Sequence, residues 1–147
     1  MKRRYFLSLV AGTAAALLGG RKARAADVFA PLVAKLTGGA PLTEGRVKLE
    51  MPRLADNGHS VPLRIVVESP MTAAEHVRSI TLLSGRNPRP LMATFHLGPR
   101  AGRPEVATRV RLNGTQRVLA VAQLSDGSFW SGSAEVEVTE SACLDAG

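Results

Sequence analysis

Cysteine is all but missing from this chain: Cys143 is the only one in 147 residues. No disulfide can therefore form within the molecule. Metal-ligand spacing is missing too. His59, His76 and His96 stand far apart, with no i, i+4 pair, so they read as ordinary polar positions. There is no G-x-S-x-G elbow, no phosphate-loop spacing and no conspicuous pair of carboxylates. The serines and glycines of "SDGSFWSGSA" read as a hairpin whose Phe129-Trp130 pair packs rather than binds. Together these absences exclude a self-sufficient catalyst and leave no catalytic set, metal site or cofactor site to name. No apolar run reaches the roughly 18–20 residues needed to cross a bilayer, so no membrane anchor is expected.

What is present begins with a leader. "MKRRYFLSLVAGTAAALLGGRKARA" has a basic start, an apolar run from Tyr5 to Leu18, and the small-x-small ending Ala23-Arg24-Ala25. That is the pattern of an export signal, with cleavage expected near Ala25, just before Ala26. The pair Arg3-Arg4, followed by Phe6-Leu7, marks the twin-arginine type; an ordinary secretory signal carrying two arginines is the alternative. Either way the expected destination is the periplasm. The leader also distorts the charge. The whole chain carries +7, but six of its 19 basic residues and none of its 12 acidic ones lie in the leader. The remainder is nearly neutral and its arginines are scattered, which excludes nucleic acid as a partner.

Residues 26–45 read as a short helix and linker. Asp27 is a candidate N-cap, Pro31 suits the first turn, and Val28, Phe29, Leu32, Val33 and Leu36 share a face. Gly38-Gly39 and Pro41 stop it. So short a helix is unstable alone and must dock on something. From 46 to 140 the pattern changes to period two: "RVKLEM", "VPLRIVVES", "HVRSITLLS", "LMATFHL", "EVATRVRLN", "QRVLAVAQL" and "AEVEVTE", separated by turn signals such as Asp56-Asn57-Gly58 and Asp126-Gly127. With no helices between them, these strands predict an all-β, immunoglobulin-like antiparallel β-sandwich. Arg86, Arg89, Arg100 and Arg103 lie in two Gly/Pro-rich loops. They are either a basic edge for an acidic partner or solvated loop charges.

Residues 141–147, "SACLDAG", have no periodicity and read as a flexible C-terminal arm carrying Cys143. Glu140, Asp145 and the terminal carboxylate disfavour the thiolate, and no cation lies near it in sequence. The arm is therefore either a handle for partner enzymes or a frayed tail with a stray thiol.

The leader "RRYFLSL", the segments "NGHSVPLRIVVESPMTAAEHV", "NPRPLMATFHLGPRAG" and "TRVRLNGTQRVLAVAQLSDGSFW", and the single terminal cysteine resemble, in that order, the SoxY sulfur-carrier proteins of bacterial thiosulfate oxidation. The resemblance implies an immunoglobulin-like sandwich paired with a second β-sandwich subunit, SoxZ. It implies a sulfur intermediate held covalently on the arm cysteine, here Cys143, while separate enzymes act on it. The arm departs from the family's Gly-Gly-Cys-Gly-Gly. Ser141 and Ala142 precede Cys143, and Leu144 and Asp145 follow, so this arm is stiffer, thicker and more negative. It is more similar to a SoxY-related subgroup ending Ala-Ala-Cys-Ile-Glu, which is associated with quinoprotein dehydrogenase systems. A second reading follows: a binding or assembly module for such a dehydrogenase or a cytochrome, with Cys143 incidental or forming an intermolecular disulfide.

Overall fold

Valines and leucines at alternate positions become strands almost wherever the pattern places them. The computed structural model describes residues 27–140; the leader and Ala26, and the arm from Ser141 to Gly147 with Cys143, lie outside the described residues. The elements are α1 (Ala30–Thr37), β1 (Leu42–Glu44), β2 (Val47–Glu50), β3 (Leu54–Asn57), β4 (Val61–Val67), β5 (Val77–Ser84), β6 (Leu91–His96), β7 (Glu105–Val110), β8 (Gln116–Leu124) and β9 (Phe129–Glu140). One sheet has the order β1-β9-β8-β5-β6, with β3 also pairing with β9; the other is β2-β4-β7.

The sandwich is immunoglobulin-like, but its pairing is not purely antiparallel. β1 and β3, which the periodicity does not reveal, both run parallel to β9. β1 falls in the segment read as linker. Both are too short to alternate visibly, and each forms because β9 is a long strand with an edge left to fill.

The two sheets bury a common core of Val61, Leu63, Ile65, Val67, Val77, Ile80, Leu82, Val118 and Val136. β5 and β8 are buried on their other face as well, which is why they read as nearly continuous apolar runs. There Leu83, Leu119, Val121 and Phe129 meet Phe29 and the helix face Leu32, Val33 and Leu36. The helix thus finds the docking surface its length requires. Asp27 is not its N-cap. The helix starts at Ala30 behind Phe29, with no side-chain cap; Pro31 lies in the first turn and Gly38, at φ 64°, ends it. Asp27 Oδ1 instead accepts the Phe29 N–H and pairs with Arg117 at 3.1 Å, and that arginine lies over the Phe29 ring.

β2 and β9 approach each other closely at Gly132 of β9. A Cβ there would lie 2.1 Å from the Val47 carbonyl oxygen, so no side chain fits. On its outer face the small sheet carries a solvated charge ladder, Lys48–Glu50–Arg64–Glu105. Hydrogen bonds from Lys48 and then Arg64 hold the Glu50 carboxyl below its usual range, and Arg64 does the same for Glu105.

Candidate functional site

The arm leaves the sandwich from β9, so the site is built on how that strand ends. β9 is bonded on one side as far as Val138 and on the other to its last residue, Glu140. On one side it pairs with β8 as far as Val136↔Gln116, and then the Val138 N–H donates to Thr115 Oγ1 at 2.9 Å. On the other side parallel β3 brings Asn57 opposite Glu140. The Gly58 N–H donates to the Glu140 carbonyl at 2.7 Å, and the Thr139 hydroxyl donates to the Asp56 carbonyl. Residue 140 is therefore a fixed anchor, and Cys143 stands three residues beyond it in sequence.

Around this anchor lie the loops of one end of the sandwich: residues 58–60 before β4, 85–90 after β5 and 111–115 before β8. They are tied together by neutral side chains. Ser84 donates its hydroxyl to Gln116 Oε1 and accepts the Asn87 N–H at 2.8 Å. Asn87 Oδ1 accepts the Asn113 N–H at 2.8 Å and the Gln116 amide at 3.1 Å, while its own amide donates to the Arg111 carbonyl. The Leu112 N–H donates to Gly58, and the Leu112 side chain is fully buried, closing the core at this end.

Four exposed arginines share this end. Arg86 and Arg89 lie on the 85–90 loop, Arg109 is the second-to-last residue of β7 and Arg111 lies just beyond the strand. Arg109 donates to the Ser60 carbonyl and hydroxyl. Among the described residues the ion pairs belong to Arg46, Lys48, Arg64 and Arg117, and to none of these four.

This changes one sequence-based expectation. The proposed basic edge does not exist as drawn. β6 runs from the loop of Arg86 and Arg89 to the loop of Arg100 and Arg103, so the two pairs lie at opposite ends of the sandwich. The fold also brings Arg109 and Arg111 to the end at which β9 stops. Sequence reading missed them because "RVRLN" continues the alternation of β7. The strand in fact stops at Val110, where the chain turns to bond with Gly58.

The remaining candidates do not converge. His59 lies on the 58–60 loop, His96 is exposed at the far end of β6, and His76 Nδ1 lies 3.1 Å from the Thr72 carbonyl. Among the described residues no group of three or more His, Cys, Asp or Glu side chains is placed to hold a metal ion. Phe129 and Trp130 pack on opposite faces of β9, the first under the helix and the second against the main core beneath Arg46.

A family model described as "Sulfur oxidation protein SoxY" matches residues 33–143. Among solved structures, the sulfur carrier protein SoxY from Chlorobium limicola f thiosulfatophilum is 28% identical, with a TM-score of 0.63 over 74% of this chain and 94% of that one. Two further likenesses are of fold alone. A superoxide reductase (neelaredoxin) from Ignicoccus hospitalis is 21% identical, covers 64% of this chain and 80% of its own, and has a TM-score of 0.57. A putative superoxide reductase from Thermotoga maritima is 19% identical, covers 69% and 95%, and has a TM-score of 0.57. No curated protein sequence matches the chain.

Proposed function

This chain belongs to the SoxY family of sulfur carrier proteins, and on that premise we propose that it is a periplasmic carrier subunit whose passenger is bound covalently to Cys143. The observation that carries the reading is the anchoring of β9. Bonds on both sides hold the strand to Val138 and on one side to Glu140, so a thiol three residues farther on has a fixed root and a reach of roughly 10 Å. A carrier needs this combination: the sandwich fixes where the arm starts, and the arm brings the passenger to enzymes that the carrier does not itself contain.

The described end supports the same reading electrostatically. Arginines without internal ion pairs give this end a positive potential, which suits a passenger such as an oxidised sulfur group that is anionic. Export through Arg3-Arg4, with cleavage near Ala25, places the carrier where extracytoplasmic sulfur enzymes work. Pairing with a SoxZ-like subunit is the partnership the family implies. The arm residues Ser141, Ala142, Leu144 and Asp145 set this carrier apart from a glycine-armed one and favour a pathway linked to a quinoprotein dehydrogenase.

Replacing Cys143→Ser in the native organism tests the proposal. The expected result is loss of the sulfur-dependent activity while the protein is exported and folded at normal levels. Full activity in C143S, with partner binding retained after removal of residues 141–147, would instead identify an assembly module with an incidental thiol.

A further inference from the structure

The open side of the sandwich, where edge strand β6 faces edge strand β7, holds a groove of about 400 Å³. Its floor is apolar, with Leu91, Phe95 and Val110, and its rim carries Arg89, Arg109 and Arg111, with no carboxylate lining it. Leu91 is 53% exposed, a large apolar side chain open to water on an edge strand that bears no charged residue other than terminal His96. Other depressions differ. That of about 640 Å³ sets Asp27 and Glu44 against Arg117, and that of about 740 Å³ sets Glu135 and Glu137 against Arg53 and Arg117, so neither is cationic.

We infer that this groove is the resting seat of the chain's own arm, with Leu144 on the apolar floor and Asp145 among the rim arginines. Reach permits it. β6 is three strand positions from β9, or roughly 15 Å at about 4.8 Å per strand. Asp145, five residues beyond Glu140, extends up to roughly 17 Å. Cys143 then lies short of the groove, over the end face that carries Arg86 and Arg111.

Charge complementarity selects this occupant. One Asp145 carboxylate cannot balance three rim arginines, so an anionic group on Cys143 strengthens the docking and a neutral one does not. Affinity need not be high, because a short tether supplies an effective concentration of about millimolar, and a millimolar site is then about half occupied. Such a seat releases the arm readily to a partner's pocket. It also weakens with salt, since the screening length falls from about 10 Å at 0.1 M to about 3 Å at 1 M.

The test uses the leaderless protein in two forms, with Cys143 alkylated by iodoacetate (anionic) or by iodoacetamide (neutral). Amide NMR shifts of residues 143–147 and of Leu91, Phe95 and Arg111 are followed at 0.1 M and 1 M salt. Docking is expected to shift both sets together, more in the anionic form, with at least a twofold loss in 1 M salt. Arg89→Gln with Arg111→Gln, and separately Asp145→Asn, should each release the arm; the last leaves the sandwich untouched. Arm shifts indifferent to adduct charge, salt and all three substitutions would overturn the inference. So would groove shifts that appear only when a partner subunit is added. Neither readout depends on a natural passenger, so the carrier reading stands or falls separately on C143S.

Discussion

The two ends of this sandwich are tied together with different chemistry. At the end away from the arm, charged side chains join the ties, although Arg100 and Arg103 there form no ion pair among the described residues. Arg46 pairs with Glu75 at 3.1 Å and covers Trp130, and Asp126 accepts both the N–H and the hydroxyl of Ser128. At the arm end the ties are neutral, made by Ser84, Asn87, Gln116 and Thr115, while Arg86, Arg89, Arg109 and Arg111 keep their charge unpaired among the described residues. A neutral network can hold loops rigidly without cancelling the field around them. The difference lies in how the loops are held, with charged groups taking part at one end and mainly neutral ones at the other.

The strongest way to break the comparison is to remove the frame that both ends share. Gly132→Ala drives a Cβ into the Val47 carbonyl, and a loss of about 3 kcal/mol is expected in urea unfolding. Next comes the neutral network. Asn87→Ala takes away the acceptor used by Asn113 and Gln116, and should destabilise by about 1–3 kcal/mol while leaving the end's charge unchanged. At the far end, Arg46→Met removes a half-exposed ion pair and a cation–π contact, and about 1 kcal/mol or less is expected by the same assay.

The smallest effect sharpens the contrast by pH. Hydrogen bonds from Ser128 hold the Asp126 carboxyl below its ordinary 3.8. Its contribution is therefore present above that value and is lost as pH falls through the lower folded value. Hydrogen exchange should show Ser128 losing protection as pH drops below 3.8, while Asn87 and Asn113, tied by neutral groups, keep theirs.

How much of this was legible depended on local pattern. Val61, Leu63, Ile65 and Val67 alternate with exposed or half-buried neighbours, so β4 reads directly. β3 does not, because Leu54 is 54% exposed and the strand exists only as a partner for β9. The arginine-rich end was illegible for a related reason. Loop composition groups Arg86 with Arg103, whereas topology groups Arg86 with Arg111, and topology is set by long-range pairing that no local pattern contains. Cys143 was legible through the likeness to a carrier family and as a lone thiol near the terminus; that β9, the strand leading to it, ends beside these arginines was not.

The central claim is that Cys143 is the point of covalent attachment. Intact-mass and peptide mass analysis of the protein, recovered from its native periplasm during turnover, tests it most directly. The account expects a fraction of molecules with added mass on the peptide containing Cys143, removed by a reducing thiol and absent in C143S. Only unmodified thiol at Cys143 under the same conditions would contradict it.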